Sequence, residues 1–323
     1  MNVVVTGGAG YIGSHMVREL LRAGHRVAIV DDLSTGHDDT VPDGVKLHRL
    51  NIHQYEEVRD VLRDHGAEAI FHFASRIQVG ESVAAPRIYY RDNVIATLRL
   101  LDAALDAGVS RFVFSSSAAV YGNPERTPLD EDHPTRPVNP YGDTKLAVER
   151  ILSAYEAPYG FKSVSLRYFN AAGADVADGL GERHDTETHL IPLLIQATLG
   201  QRGPVTLFGT DYPTPDGTCV RDYIHVRDLA TAHLLALDYL NRGGETTRFN
   251  LGTGSGNSVR EVVAAVERVS GKKVPTTFGP RRAGDPAVLV ASAARAKSVL
   301  GWAPERSSID GIIQDAWKFH ASR

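Results

Sequence analysis

Tyr141 and Lys145 stand four residues apart, and that spacing puts a phenol and an ammonium on one helical face. A nearby ammonium favours the phenolate, lowering its pKa toward neutrality and making the tyrosine a usable general base. Upstream, Ser115-Ser116-Ser117 ends an apolar run, at the carboxyl edge of a strand, where open α/β sheets place ligands. A serine hydroxyl there can hydrogen-bond a hydroxyl or carbonyl that is being oxidised or reduced. The Tyr-x-x-x-Lys spacing alone decides little, and a serine run alone is commonly a polar strand end. Together they point to chemistry.

A second constellation would supply the redox partner. Thr6-Gly7-Gly8-Ala9-Gly10-Tyr11-Ile12-Gly13 follows an apolar run and opens a helical one, inside a strand–helix–strand unit. Glycines let the backbone approach a pyrophosphate, and the helix N-terminus offers free N–H groups and partial positive charge. Asp31 closes the next apolar run, where a carboxylate accepts from an adenosine ribose diol and repels a 2′-phosphate. That favours NAD over NADP. Arg221 and Arg282 lie in Gly- and Pro-rich loops; each can clamp a diphosphate or simply be a solvated surface charge. The 13 histidines show no H-x-x-x-H or H-E-x-x-H spacing, so no metal is expected, and His72, inside an apolar strand, reads as a satisfied core histidine.

The elements that must carry these residues alternate two periodicities. Apolar runs at Val3–Val5, Arg26–Val30, Leu47–Leu50, Ala69–Phe73, Arg111–Ser115 and Ser163–Tyr168 read as strands. Helical spacing separates them, from Ile12 to Leu21, through Val58 to Leu62, from Val94 to Ala107 and from Tyr141 to Tyr155. This pattern predicts a doubly wound parallel-sheet Rossmann domain. Beyond Asn170 the texture changes to Gly-, Asp- and Pro-rich loops between shorter elements. These are a strand at Val205–Phe208, a helix from Val226 to Leu240, a strand at Phe249–Leu251, and a helix that Ser258 can N-cap. We expect an NAD-binding domain over 1–172, with segments near 220–252 returning to it, and a smaller α/β substrate-binding lobe over 173–323.

Composition bounds the partners. The 323 residues hold 35 Lys+Arg against 39 Asp+Glu, a formal charge of −4, with no long basic run, which disfavours nucleic acid and anionic membrane. One cysteine precludes an intramolecular disulfide, and no apolar run is long enough to cross a bilayer, so the expected setting is cytoplasmic.

The opening T-G-G-A-G-Y-I-G-S-H, the serine run followed by Val120-Tyr121-Gly122, and Pro140-Tyr141-Gly142 before Lys145 resemble the extended short-chain dehydrogenase/reductases. His72-Phe73-Ala74, Val79-Gly80-Glu81-Ser82, Leu166 to Asn170, Val220 to Val226, Phe249 to Gly252 and Pro280 to Asp285 extend the likeness to the UDP-glucose 4-epimerase family, nearly end to end. The resemblance implies reversible C4 inversion of UDP-galactose and UDP-glucose through a 4-keto sugar, with tightly bound NAD, in a homodimer. It implies Tyr141 as catalytic base, Lys145 as its electrostatic partner and nicotinamide-ribose ligand, and Ser117 as partner of the sugar hydroxyl. For NAD it further implies Gly7, Gly10, Tyr11, Ile12, Asp31, Asp32, Asn51, Ile52, Phe73, Ala74, Asn93, Ser115 and Tyr168. For the UDP-sugar it implies Asn170, His189, Leu190, Leu207, Phe208, Arg221, Arg282, Asp285 and Leu289.

Four positions depart from the family pattern. Asn51 replaces an acid, Ile77 a lysine, His189 an asparagine, and Leu289 a tyrosine that crowds the N-acetyl position in some members. The last opens the pocket to UDP-N-acetyl sugars. Competing readings are a UDP-hexuronate 4-epimerase, a 4,6-dehydratase and a non-catalytic NAD-sensing protein. Ala118 and Ala119 after Ser117 lack the acid/base pair a dehydratase needs. The intact Ser117, Tyr141 and Lys145 weigh against a protein without turnover.

Overall fold

Side chains alternate across a strand, so a strand apolar at every position needs cover on both faces. A computed structural model, which describes residues 1–282 and 285–323, shows that cover. Seven parallel strands form one sheet: β1 (Asn2–Thr6), β2 (Arg26–Asp31), β3 (Lys46–Arg49), β4 (Ala69–His72), β5 (Arg111–Ser117), β6 (Lys162–Tyr168) and β7 (Thr247–Leu251). Their spatial order is β7-β6-β5-β4-β1-β2-β3, with the crossover reversal between β1 and β4. Val3 and Val5 face a core shared with helices α1 (Tyr11–Arg22) and α6 (Val226–Asn241). Val4 faces the opposite core, with α2 (Tyr55–His65), α3 (Ala96–Asp106) and α4 (Pro140–Tyr159). The sheet is therefore doubly wound, as the apolar runs predict.

Three details differ from the sequence pattern. The helix expected from Val94 is the end of a longer helical stretch beginning at Pro86, with a π-turn at Tyr90–Ile95. The Tyr141 helix starts at Pro140 and runs on to Tyr159, where Gly160 adopts φ 63 and stops it. The third strand starts at Lys46 and ends at Arg49, one residue earlier than the apolar pattern suggests.

The second lobe is built around α5 (Leu190–Thr198), α7 (Val259–Ser270) and α8 (Ile309–Ala321), whose Leu194, Val262, Val266 and Ile312 share a core with Val205 and Leu207. Ser258 caps α7 in a full capping box with Glu261. Asp222, fully buried, accepts from the N–H groups of Thr253 and Ala291 at 2.8 and 3.1 Å, tying the chain at 253 to the chain at 291. Among the described residues no helix is long and apolar enough to cross a membrane.

Candidate active site

The end of β5 and the start of α4 meet because Gly142 has no side chain. A Cβ there would stand 2.4 Å from the Ala119 carbonyl oxygen. Asn139 caps α4 by accepting from the Gly142 N–H at 2.9 Å. Ser117 accepts from the Ala119 N–H at 3.1 Å, turning the chain out of the strand. The Ser117 hydroxyl thereby lies near enough to the Tyr141 phenol to lower its pKa. One helical turn on, Lys145 is buried, its Nζ 5.8 Å from the Tyr141 ring centre and 4.9 Å from that of Phe114. Its ammonium donates to the Ser115 carbonyl at 2.8 Å.

Sequence reasoning expects the lysine to pull the phenol's pKa down. In this geometry the balance runs the other way. Burial pushes the Tyr141 phenol up and hydrogen bonding to Ser117 only partly offsets it. Burial also lowers Lys145 to about 7, against the opposing charge of Glu149. Desolvation dominates at both groups, and the lysine head donates to the Ser115 carbonyl.

Behind these residues lies a polar network that sequence reasoning missed. Glu149 receives Ser116 Oγ at 2.5 Å and Arg167 Nε at 2.9 Å, and a second Arg167 nitrogen pairs with its other oxygen. Arg167 also donates to Tyr121 Oη at 2.9 Å, which donates to Asn250 at 2.6 Å. Ser115 and Tyr168 share a hydrogen bond across β5 and β6. Charged groups this buried persist only when paired. The one sequence clue is that Glu149 lies four residues after Lys145, on the same face of α4.

The glycine turn fits a dinucleotide diphosphate. Gly7 has φ +74, and a Cβ on it would lie 2.5 Å from Ala74 N; a Cβ on Gly13 would fall 2.0 Å from the Gly7 oxygen. Gly10 is the α1 N-cap with no side chain satisfying the first-turn N–H groups and no acid in that turn. Asp31 is fixed by accepting from Ala9 and Leu33 N–H groups, each at 2.9 Å. Burial raises its pKa, and those two bonds oppose the shift. Asp32 accepts from Asn51 Nδ2 at 2.6 Å, so Asn51 is tied to the β2 end rather than left free. Ile52, Phe73 and Ala74 line up at or beyond the ends of β3 and β4.

Several predicted ligand residues are engaged within the protein. Asn93 accepts from the Arg76 N–H at 2.8 Å and donates to Thr144 at 3.1 Å, pinning the loop after β4 to α4. Arg76, the substitute available for the lysine missing at Ile77, is committed to Asp92 at 2.6 Å. Tyr11 donates its hydroxyl to the Gly173 carbonyl at 2.8 Å. His72 bonds Thr6 and Thr97 at 2.7 and 2.9 Å and is pushed down to about 3 by burial, a core histidine as expected.

The proposed sugar-nucleotide residues line the second lobe's side. Asn170 opens a short strand paired to Tyr223. His189 precedes α5 and Leu190 begins it. Leu207 and Phe208 end a strand paired with Thr276–Gly279, and Arg282 stacks on the Phe208 ring at 4.2 Å. Arg221 donates to the Val220 and Pro286 carbonyls at 2.8 and 2.9 Å and lies 3.4 Å from Asp285. Leu289 pairs in register with Arg221 and packs on the cluster of Ala118, Val120, Tyr121 and Leu146 beside the serine turn. Ala283 and Gly284 of the Pro280–Asp285 motif lie outside the described residues.

Residues 3–252 match the NAD dependent epimerase/dehydratase family. The chain is 52% identical to a UDP-glucose 4-epimerase of Azospirillum brasilense, over 99% of this chain and 92% of that protein. The crystal structure of UDP-glucose 4-epimerase from Brucella ovis in complex with NAD superposes with a TM-score of 0.96 at 45% identity, covering 98% and 97% of the two chains. The UDP-Glc/GlcNAc 4-epimerase from Campylobacter jejuni superposes with a TM-score of 0.87 at 39% identity, covering 99% of each.

Proposed function

From the premise that this chain belongs to the NAD dependent epimerase/dehydratase family, we infer that it interconverts UDP-glucose and UDP-galactose by reversible inversion at C4. The observation that carries this is the meeting of Ser117, Tyr141 and Lys145 at one sheet edge, in a chain that matches such epimerases end to end. NAD, when bound, supplies the acceptor that takes the C4 hydride and gives it back, so no reductant is consumed.

The chain's own residues perform the rest. Gly7, Gly10 and the open first turn of α1 hold the dinucleotide diphosphate, and Asp31 holds the ribose diol. Tyr141, as tyrosinate, takes the O4 proton, and as phenol returns it to the 4-keto sugar. Ser117 orients the sugar oxygen toward it. Lys145 provides the positive end of the Ser115–Tyr141 edge. The arginine-bearing loops of the second lobe grip UDP firmly while the hexose stays free to present either face. Stabilisation therefore falls on proton and hydride transfer rather than on one epimer. Incubating purified protein with UDP-galactose and no added reductant tests this; UDP-glucose is the expected product, and unchanged sugar refutes the assignment.

A second substrate class is favoured by Leu289. Its side chain packs beside Ala118 and Leu146, where a tyrosine would take more room, so we extend the reading to UDP-N-acetylhexosamines. A homodimer is supported by the exposed apolar side chains of Val79 and Val83 on the short helix Val79–Ala84 and of Ile95 on the helical stretch from Pro86, both beside α4. A reducing, cytoplasmic setting is in keeping with the single buried Cys219.

A further inference from the structure

A strap of the second lobe roofs the glycine turn. It begins where Tyr11 donates to the Gly173 carbonyl at 2.8 Å. Farther along, His37 Nε2 donates to the Arg183 carbonyl at 3.2 Å, and the Arg183 guanidinium pairs with Asp39 at 2.9 Å. The strap ends at α5, and over its last eight residues the spacing is E-x-H-x-x-E-x-H.

Those four side chains turn toward one another. One ligand atom each from Glu182, His184, Glu187 and His189 lies within 4.8 Å of the other three. His189 Nδ1 is 2.8 Å from Glu182 Oε1 and 3.0 Å from Glu187 Oε1. His184 Nδ1 is 3.1 Å from Glu187 Oε2 and 3.7 Å from Glu182 Oε1. Glu187 is itself held by accepting the Thr188 and His189 N–H groups, each at 2.8 Å.

Both carboxylates have side chains only 6% exposed, and among the described residues neither pairs with an arginine or lysine. Two buried carboxylates need positive charge between them. Without an ion the two imidazoles supply that charge as imidazoliums; their two ring nitrogens and the two carboxylate oxygens, converging on a point, are equally a four-ligand set for a divalent cation. Nitrogen in that set disfavours Mg²⁺ and Ca²⁺, and four protein ligands without an open position match structural Zn²⁺. We propose that Glu182, His184, Glu187 and His189 form a Zn²⁺-class divalent metal site that clasps the strap over the cofactor turn. His189 is then a metal ligand rather than a contact to the UDP-sugar; the ion takes no part in the reaction and closes a loop whose opening releases NAD.

The test uses tag-free protein stripped with a chelator and titrated with Zn²⁺ against a chromophoric competitor. One equivalent per chain with submicromolar affinity is expected. His184→Ala and Glu187→Gln are each expected to weaken binding at least about 100-fold, the upper end of what loss of a mere supporting residue costs. His48→Ala, away from the cluster, leaves binding unchanged. Co²⁺ in the wild-type protein is expected to give an intense tetrahedral visible band, a readout that needs no variant to fold. NAD dissociates faster from stripped than from Zn²⁺-loaded protein. Uptake below a tenth of an equivalent, absence of the Co²⁺ band, or wild-type affinity in both cluster variants overturns the site. Equal NAD release with and without Zn²⁺ overturns the clasp. None of these readouts depends on turnover, so a failure here is separable from failure of the epimerase assignment.

Discussion

Lys145 donates to the Ser115 carbonyl oxygen at 2.8 Å, joining the middle of one helical face to the strand edge that carries Ser117. This single bond fixes where the lysine's charge sits: at the backbone, beneath the Tyr141 ring. The phenol stays protonated by burial in the ligand-free protein. Replacing Tyr141 with Phe keeps the ring and removes the acid/base group. We expect kcat to fall by about 100-fold or more, with NAD content and Tm near wild type. Retention of most of the activity would assign the proton transfer to another group.

Burial lowers Lys145 to about 7 in the folded protein from an ordinary 10.5. Between those values the unfolded chain binds more protons than the folded one, so this group makes stability rise with pH across that window. Below about pH 7 the cost of its buried charge is fully present. In Lys145→Met the contribution disappears. The stability of wild type relative to this variant should therefore increase from pH 7 toward 10.5, with a slope approaching about 1.4 kcal/mol per pH unit. Chemical denaturation of ligand-free protein at pH 6 and 9 measures it; a pH-independent difference contradicts it.

Glu149 and Arg167 are only 7% and 2% exposed, and each is the other's charge partner. Glu149→Ala strands a buried guanidinium. A loss of about 3–5 kcal/mol in unfolding free energy is expected, read from urea denaturation. The β5 edge loses its Ser116 anchor at the same time, so kcat should fall more than KM rises.

Two glycines separate packing from binding. Gly7→Ala meets Ala74 N at 2.5 Å with φ +74, whereas a Cβ on Gly10 meets nothing nearer than the Gly7 oxygen at 3.4 Å. We expect Gly7→Ala to lower Tm markedly. Gly10→Ala should keep Tm in the ligand-free state but lose bound NAD, assayed by absorbance of the cofactor released on denaturation.

Leu289→Tyr should lower turnover of UDP-N-acetylglucosamine relative to UDP-glucose by about tenfold or more, a discrimination of the size a filled pocket gives. Paired assays on both substrates measure the ratio. An unchanged ratio places the N-acetyl gate elsewhere.

Much of this molecule was legible before its structure. Val3–Val5 and Ala69–His72 declared a sheet covered twice because every position was apolar, and the glycine turn sat between a strand and a helix. Tyr141, Lys145 and Ser117 could be named from types and spacing. A return of segments near 220–252 is expected, but that Thr247–Leu251 pairs with β6 in particular is a long-range choice that local periodicity does not encode. Glu149 and Arg167 look like ordinary surface charges in sequence, since burial is set by neighbours 18 residues apart. The pKa balance at Tyr141 also depends on desolvation, which spacing cannot report. Glu182, His184, Glu187 and His189 escaped a search for adjacent-turn histidine motifs because their spacing belongs to a loop, and only the folded strap brings them together.

In the proposed reaction the C4 hydride leaves the sugar and returns to it without meeting solvent. Conversion of UDP-galactose deuterated at C4, in ordinary water and without added reductant, tests it by proton NMR of the UDP-glucose formed. Full retention of deuterium at C4 is expected. Wash-out of the label into water, or no conversion by protein that carries NAD, would contradict it.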